Sequence, residues 1–344
     1  MKLTIPQRLS VGDKIGIISP SSGLAGVFTH RAENGRKMLE RLGFKVVFAK
    51  GSLEVDGYVS ASVEERVRDI HRMFSDKTIS AIICSVGGDH SNQLLKYLDF
   101  ELIKKNPKIF IGYSDITILH YAIAKKAMLR TYYGPCLITE FGEFPRILPY
   151  TLEYFRKAVM DEKPIGEIKA SETWTDEILD WSKKLDLKRP RRLLKNPGYE
   201  WWGNGAVEAS LFGGAIPSIN HLAGTPYWVD PKDKVFFIDL PEGHQFGEPL
   251  PLSSVDSYLS DLDNLDFFKD IKGLIIGRPY RLKARDISAL KSIIKKYTRG
   301  TTYPILFNAN IGHASPIITI PLDSKIRLDS KKNLFELLEG GVRV

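Results

Sequence analysis

The first 160 residues of this chain alternate short β-branched runs with segments of helical periodicity, and this alternation restricts the fold more than any other feature. Such a pattern is typical of a parallel sheet covered by helices. Ligands of open parallel sheets bind at the carboxyl ends of the strands, so we expect chemistry in the loops that follow them. The predicted strands are Lys14–Ser19, Phe44–Ala49, Ile79–Val86 and Lys108–Tyr113, and the predicted helices are His30–Leu42, Val63–Ser75, Ser91–Leu98 and Asp115–Lys126.

The chain has 344 residues, and a prior of about 150 residues per domain predicts two domains. We expect an N-terminal domain at 1–162, a linker that also forms a long functional loop at 163–204, and a C-terminal domain at 205–344. The predicted C-terminal elements are the strands Val207–Phe212, Lys234–Asp239, Gly273–Ile276, Ile305–Asn308 and Ile317–Ile320 and the helices Ser253–Leu262 and Arg285–Tyr297. The predicted fold class is α/β, with an N-terminal flavodoxin-like parallel sheet carrying helices on both faces and a C-terminal α/β or β-rich domain.

Composition and charge argue against several classes of protein. The 43% hydrophobic and 26% charged residues are typical of a globular chain. No apolar stretch approaches the roughly 20 residues that span a bilayer, so we expect a cytoplasmic protein with no membrane partner. Cys84 and Cys136 have no CxxC spacing and no nearby histidine, which argues against a disulfide framework or a zinc site. The net charge of +8 comes without a nucleic-acid motif, so nucleic acid is not an expected partner.

The sharpest local motif is Gly112-Tyr113-Ser114-Asp115, which ends an apolar strand and leads directly into an amphipathic helix. A serine at a tight strand-to-helix turn exposes its hydroxyl above the sheet, where backbone N–H groups can stabilise an oxyanion. The motif departs from GxSxG because Ile116 occupies the position of the last glycine. Alternatively, Ser114 or Asp115 only caps the helix, since both residue types are preferred at that position.

A serine nucleophile needs a base, and the base needs an acceptor that fixes its tautomer. Of the seven histidines, His313 has the most suggestive setting, because it lies in a loop between two apolar runs of the second domain. His90, His221 and His244 remain possible bases. The alternative for His313 is a loop histidine that the backbone satisfies.

Acidic residues end the buried strand predicted at Lys234–Asp239, and they are candidates for the acceptor. Asp239 and Glu242 both qualify, because an acid at a strand terminus is a better orienting group than one on a solvated helix. Their alternative role is to form the turn around Pro241.

The segment Gly87-Gly88-Asp89 follows the strand predicted at Ile79–Val86. Glycines permit close backbone approach there, so their N–H groups could form an oxyanion hole for a carbonyl attacked by Ser114. Alternatively, the segment is only a sharp turn. The sequence contains no P-loop, GxGxxG, HExxH, EF-hand loop or Cys/His cluster, so we expect no cofactor and no metal.

Several motifs in order resemble the LD-carboxypeptidase serine peptidases. They lie at 87–95 (Gly-Gly-Asp-His-Ser-Asn-Gln-Leu-Leu), 111–117 (Ile-Gly-Tyr-Ser-Asp-Ile-Thr), 133–135 (Tyr-Gly-Pro) and 312–322 (Gly-His-Ala-Ser-Pro-Ile-Ile-Thr-Ile-Pro-Leu). The tryptophan-containing stretch at 172–181 resembles the long connection of the microcin-immunity, or MccF-like, branch. The resemblance covers the chain essentially end to end.

The resemblance implies that Ser114 is the nucleophile and His313 the base, with backbone oxyanion donors around Gly88, Asp89 and Asp115. It also implies a homodimer. The family normally has glutamate where this chain has Asp239, so the acid of the triad is Asp239 or, as the alternate, Glu242. The family's Gly-Gly-Asn segment ends here in Ala215, which removes an amide expected to contact substrate.

The implied reaction is hydrolysis of an amide bond through an acyl-enzyme. The substrate is a microcin-like aminoacyl-nucleotide or a cell-wall muropeptide, and a tryptophan that stacks on a nucleobase would favour the former. The candidates for this stacking are Trp174, Trp181, Trp201 and Trp202. A basic run contains Arg189, Arg191 and Arg192, and it either faces a ligand phosphate or lies in a solvated loop. The alternative function is a catalytically impaired two-domain protein that binds a peptide or nucleotide.

Overall fold

Two large sheets organise the computed structural model, which describes residues 2–243, 245 and 247–344. The strands are β1 (Lys14–Ile18), β2 (Lys45–Phe48), β3 (Ile79–Cys84), β4 (Ile109–Gly112), β5 (Tyr132–Tyr133), β6 (Gly166–Glu167), β7 (Thr173–Trp174), β8 (Leu194–Lys195), β9 (Glu200–Trp202), β10 (Ala206–Ala215), β11 (Lys234–Asp239), β12 (Gly273–Gly277), β13 (Ile305–Ala309), β14 (Ile320–Pro321), β15 (Ser324–Asp329) and β16 (Leu334–Leu337). The α-helices are α1 (Leu24–Val27), α2 (Thr29–Arg41), α3 (Val63–Ser75), α4 (Phe100–Lys105), α5 (Thr117–Ala122), α6 (Pro149–Val159), α7 (Ile216–Leu222), α8 (Leu252–Asp263), α9 (Phe267–Asp270) and α10 (Ala284–Tyr297).

The first sheet has the order β14-β5-β4-β3-β1-β2. Strands β1 to β5 run parallel, in the 2-1-3-4-5 order of flavodoxin-like folds, and β14 adds an antiparallel edge. Helix α3 packs on β1 and β3, α2 on β2 and α5 on β5. Because helices cover the sheet, its central strands are almost wholly apolar and buried. The predicted N-terminal architecture is confirmed.

The second sheet has the order β6-β16-β15-β10-β11-β12-β13-β9. Its centre, β10 to β13, is parallel, and antiparallel strands extend it on both sides. The predicted α/β character of the C-terminal part is therefore confirmed. The segment 163–204 supplies β6 and β9 to the two edges of this sheet and also contains the separate pair β7–β8. The boundaries at 162 and 205 stay a prediction.

Two predicted elements are wrong in detail. In place of a helix at Ser91–Leu98, a single 3-10 turn covers Ser91–Leu94, because the Asp99 side chain accepts the N–H of Leu102 and so begins a new helix, α4. The strand expected at Ile317–Ile320 is reduced to β14, which belongs to the first sheet.

The backbone N–H groups just before β14 form hydrogen bonds outside the sheet. The N–H of Ile317 donates to Thr151 Oγ1 and that of Ile318 to the carbonyl of Asn310, so neither enters a strand ladder. The apolar residues at 317–320 are buried, but most of them lie in a loop. A short buried apolar run looks like a strand in sequence even when it forms no sheet hydrogen bonds. Within the described part of the chain, no helix has the length and apolar character needed to cross a membrane.

Candidate active site

Ser114 lies at the carboxyl end of β4, where the chain turns into the helical segment that contains α5. Its φ of 64° lies in the left-handed region, which costs a non-glycine residue about 1 to 3 kcal/mol. A Cβ at Gly87 would lie 2.8 Å from Ser114 Cβ, and a Cβ at Gly112 would lie 2.9 Å from the Ile116 side chain. Two glycines therefore make room for the turn, and the bulky Ile116 packs directly on one of them.

His313 approaches Ser114 from the loop after β13. Its Nε2 lies 3.0 Å from Ser114 Oγ, and its Nδ1 lies 2.8 Å from Asp239 Oδ2. The imidazole packs edge-on against the rings of Tyr113 and Tyr280, at centroid distances of 5.0 and 6.0 Å. The structure thus brings the predicted serine, histidine and acid into consecutive contact across the two sheets.

Asp239 ends β11 and is fully buried. The hydroxyl of Tyr133 donates to Asp239 Oδ2 at 2.5 Å and accepts the backbone N–H of Ser114 at 3.2 Å. Gly312 has a φ of 93°, and a Cβ there would lie 1.8 Å from Asp239 Oδ1. Because a glycine stands next to His313, the loop backbone comes close enough for the short aspartate side chain to reach the imidazole.

Glu242, the alternate acid, lines the cleft in front of His313. Its Oε2 accepts the N–H of Gly247 at 3.4 Å. Among the described residues, Asp239 is the carboxylate that pairs with His313.

The charges around His313 favour its protonated form. Burial works against that form, but the negative charge and hydrogen bonding of Asp239 outweigh it, with smaller contributions from Glu242 and Glu140, so the pKa of His313 is raised. Burial and the adjacent Asp239 charge raise the pKa of Tyr133 far above its ordinary value. Tyr133 therefore keeps its proton and acts as a donor to the carboxylate.

The predicted oxyanion segment lies against the serine turn. A Cβ at Gly87 would lie 3.3 Å from the backbone nitrogen of Asp115, and Gly88 has a φ of 145°. Within the described residues, no protein acceptor takes the N–H groups of Gly88 and Asp89. The Asp115 carboxylate accepts the N–H of Ser91 at 2.9 Å and so holds the two loops together.

A cleft opens in front of His313. Its walls include Tyr113, Trp181, Arg191, Glu242, Tyr280 and His313. Trp181 stacks on the guanidinium of Arg31, which lies 4.4 Å from the indole centroid. Arg191 Nη2 contacts Ser315 Oγ at 2.9 Å and Glu143 Oε2 at 2.8 Å, so one arginine of the basic run reaches the cleft beside the histidine loop.

The other residues predicted to bind substrate are not among those that line this cleft. Trp174 faces a separate cavity, and Trp202 stacks on Phe307 at the edge of the second sheet, at a centroid distance of 5.2 Å, because β9 pairs there with β13. Trp201 belongs to the same edge strand. Ala215 is 2% exposed, and its N–H donates to Thr117 Oγ1 under the serine turn. Their contact with substrate stays a prediction, and none of these four residues lines the cleft at His313.

Two arginines of the basic run and the candidate bases His90 and His221 are not among the residues that line this cleft. Arg189 forms an exposed pair with Glu177, at 2.7 Å, and Arg192 is exposed. His90 packs on the ring of Tyr58, and His221 is exposed near the end of α7. His244 lies outside the described residues.

Sequence reasoning missed two groups that shape this site. Tyr133 appeared only within the Tyr-Gly-Pro motif, and nothing local distinguishes it from a core tyrosine. Arg31 is buried, and its Nη1 donates to Asp186 Oδ2 at 3.0 Å. This contact holds the chain just after Trp181 against α2. A basic residue at a buried position of an amphipathic helix was the available signal for Arg31.

A serine hydroxyl, an imidazole and a carboxylate in consecutive contact at the end of a parallel strand define the serine hydrolase class. Models of the LD-carboxypeptidase N-terminal and C-terminal domains match residues 15–134 and 208–328. The chain belongs to the LD-carboxypeptidase family, in its MccF-like branch, and is a serine-type carboxypeptidase.

Three relatives illustrate this membership. The putative carboxypeptidase YocD of Bacillus subtilis is 35% identical over 94% of this chain and 95% of its own length. The microcin C7 self-immunity protein MccF of Escherichia coli is 31% identical, over 95% and 93% of the two chains. The structure of MccF with aspartyl sulfamoyl adenosine superposes with a TM-score of 0.90 at 29% identity, covering 99% of this chain and all of that one. A probable murein peptide carboxypeptidase of Bacillus subtilis is 28% identical over 98% of this chain and 95% of its own length.

Proposed function

We propose that Ser114 Oγ attacks an amide carbonyl of the substrate while His313 Nε2 accepts the serine proton. The imidazolium then protonates the leaving amine, the C–N bond breaks, and an acyl-ester on Ser114 remains. Water, deprotonated by the same imidazole, hydrolyses the ester and restores the serine. The observation that carries this proposal is the 3.0 Å contact between Nε2 and Oγ. Asp239 fixes the imidazole tautomer and stabilises its positive charge.

Backbone N–H groups supply the stabilisation of the tetrahedral intermediate in this proposal. Gly88, Asp89 and Asp115 lie on the two loops that meet at Ser114, and Ser91 ties those loops together. Donors fixed in this way cost little reorganisation when the oxyanion forms.

For the substrate, we propose an aminoacyl-nucleotide. Trp181 lies in the cleft with one side on Arg31, and an indole can stack on a nucleobase for about 1 to 3 kcal/mol. The related MccF has been crystallised with aspartyl sulfamoyl adenosine. A second candidate, a muropeptide, is favoured by the murein peptide carboxypeptidase among the relatives.

The two substrate classes are separated by measuring turnover of both with the same enzyme preparation. We expect kcat/KM for an aminoacyl sulfamoyl adenosine to exceed that for a murein tetrapeptide. Release of D-alanine from the tetrapeptide, without any cleavage of the nucleotide conjugate, would exclude the aminoacyl-nucleotide.

Arg191→Gln is expected to raise KM for the nucleotide substrate about 10-fold and to change kcat much less, because a charge-assisted hydrogen bond contributes about 1.5 kcal/mol or more. Arg191 reaches the cleft, whereas its neighbour Arg192 is exposed. Steady-state kinetics of Arg191→Gln and of the matched control Arg192→Gln check this. An unchanged KM in the Arg191 variant, or equal changes in both variants, would exclude a role of Arg191 in binding an anionic group of the nucleotide substrate.

The raised pKa of His313 sets the expected acidic limit of activity. The imidazole must be neutral to accept the serine proton, so kcat/KM falls as the pH drops through this pKa. We expect the midpoint of the acidic limb to lie above about 6.5, the ordinary pKa of histidine. Glu242→Gln should move the midpoint to lower pH, since it removes one of the charges that raise the pKa. A midpoint below the ordinary value would contradict the assignment of His313 as the base.

We also propose that the enzyme is a cytoplasmic homodimer, as the family resemblance implies. Multi-angle light scattering at working concentration tests the assembly, and a monomer mass excludes the dimer. Cell fractionation tests the compartment.

A further inference from the structure

Arg278 is a buried cation that has no anionic partner among the residues the structure describes. It follows β12 and is 4% exposed. Its Nη2 donates to the neutral amide oxygen of Asn196 at 2.5 Å, and its guanidinium carbon lies 4.5 Å from the centroid of the Trp174 ring. Within residues 2–243, 245 and 247–344, no carboxylate forms an ion pair with Arg278, and its Nε has no acceptor.

Burying a charge is costly unless an opposite charge or sufficient hydrogen bonds compensate it. In Arg278 the burial is strong enough to lower the pKa to about 10. Asp176 is the carboxylate with the largest influence on Arg278, but its own oxygen Oδ2 accepts the N–H of Arg281 at 3.0 Å. A bound anion would therefore gain from a guanidinium that is already desolvated and held in place.

Arg278 lines an open cavity of about 600 Å³ in the second half of the chain. The walls around it are largely apolar and include Trp174, Tyr199, Leu282, Ile287 and Phe307. None of these residues lines the cleft at Ser114 and His313, so the cavity is separate from the active site. Lys291, at the same cavity, is already paired with Glu200 at 2.5 Å.

We propose that this cavity binds a small organic carboxylate with an apolar or aromatic body. The carboxylate lies on Arg278, and the body lies among Trp174, Leu282 and Phe307. A single uncompensated guanidinium balances one negative charge. A phosphate dianion would bring a second charge among mostly apolar walls and is disfavoured for that reason.

The probe is N-acetyl-L-phenylalanine, compared with its uncharged C-terminal amide. Binding to the full chain carrying Ser114→Ala, which cannot turn the probe over, is measured by isothermal titration calorimetry. We expect the acid to bind at least 10-fold more tightly than the amide. Equal affinities for the two, or no binding of the acid, would overturn the proposal.

Three further substitutions in the Ser114→Ala background decide where the acid binds. Arg278→Gln removes the cation, and Ile287→Trp fills the cavity while leaving Arg278 in place, so the second variant decides if the first does not fold. Both are expected to weaken binding at least 10-fold, whereas Arg191→Gln leaves it unchanged. Weakening in the Arg191 variant with retained binding in the Ile287 variant would place the probe in the cleft and overturn the proposal. Because the measurement does not require catalysis, it is independent of the proposed mechanism.

Discussion

Replacing Ser114 by alanine is expected to lower kcat by about 10⁵- to 10⁶-fold, because the reaction then lacks its nucleophile and only binding and oxyanion stabilisation remain. The variant should keep the fold, since alanine preserves the backbone and the Cβ that packs beside Gly87. Turnover of the preferred substrate measures the loss. Labelling by a fluorophosphonate, followed by mass spectrometry, locates the nucleophile independently of the substrate.

The matched control is Ser182→Ala, which removes the hydroxyl of a surface serine that bonds to Asp180. It should react with the fluorophosphonate like the wild type, with the label on the peptide that contains Ser114. A label retained in Ser114→Ala would show that another group is the nucleophile. A wild-type protein as unreactive as Ser114→Ala would contradict the acyl-enzyme mechanism.

Asp239→Asn is expected to lower kcat/KM about 10³- to 10⁴-fold, the second largest effect among these variants. The amide is nearly isosteric and fits the close contact with Gly312, but it removes the negative charge that stabilises the imidazolium. The acidic limb of the pH profile should also move to lower pH, because the Asp239 charge is a leading cause of the raised pKa of His313. A structural defect alone would lower activity without moving this limb.

The two candidate acids are distinguished by a parallel substitution. Glu242→Gln removes a carboxylate that lines the cleft but does not pair with the imidazole, and we expect less than about a 10-fold loss. Pre-steady-state and pH-dependent kinetics of the two variants give the comparison. A larger loss in Glu242→Gln than in Asp239→Asn would identify Glu242 as the orienting acid.

Tyr133 explains why Asp239 is held so firmly in this chain. Its hydroxyl donates to the Asp239 carboxylate and accepts the backbone N–H of Ser114, so one buried hydroxyl links the two residues. Burial and the Asp239 charge raise the pKa of Tyr133, which keeps this hydroxyl protonated at neutral pH. Asp239 and the backbone of Ser114 are therefore positioned relative to each other through one side chain.

Local sequence patterns were sufficient for strands β1 to β4 and for the turn at Ser114. Strands β1, β3 and β4 are continuous apolar runs because both faces are buried, and the helices between them favour a parallel arrangement. The serine turn has its own signal, since the glycines that allow it lie within or next to the strand ends. The family motifs supplied the pairing of Ser114 with His313.

The sequence by itself determined the alternation of strands and helices, the serine at the end of β4 and the membership of the family, since these depend on residues close together in the chain. Only the tertiary structure placed Asp239 rather than Glu242 against His313, brought Tyr133 against Asp239, put Trp181 in the wall of the cleft and moved Ile320–Pro321 into the first sheet. Each of these depends on contacts between residues that are far apart in sequence. Periodicity and turn chemistry carry information over a few residues, and they do not specify which distant groups will meet.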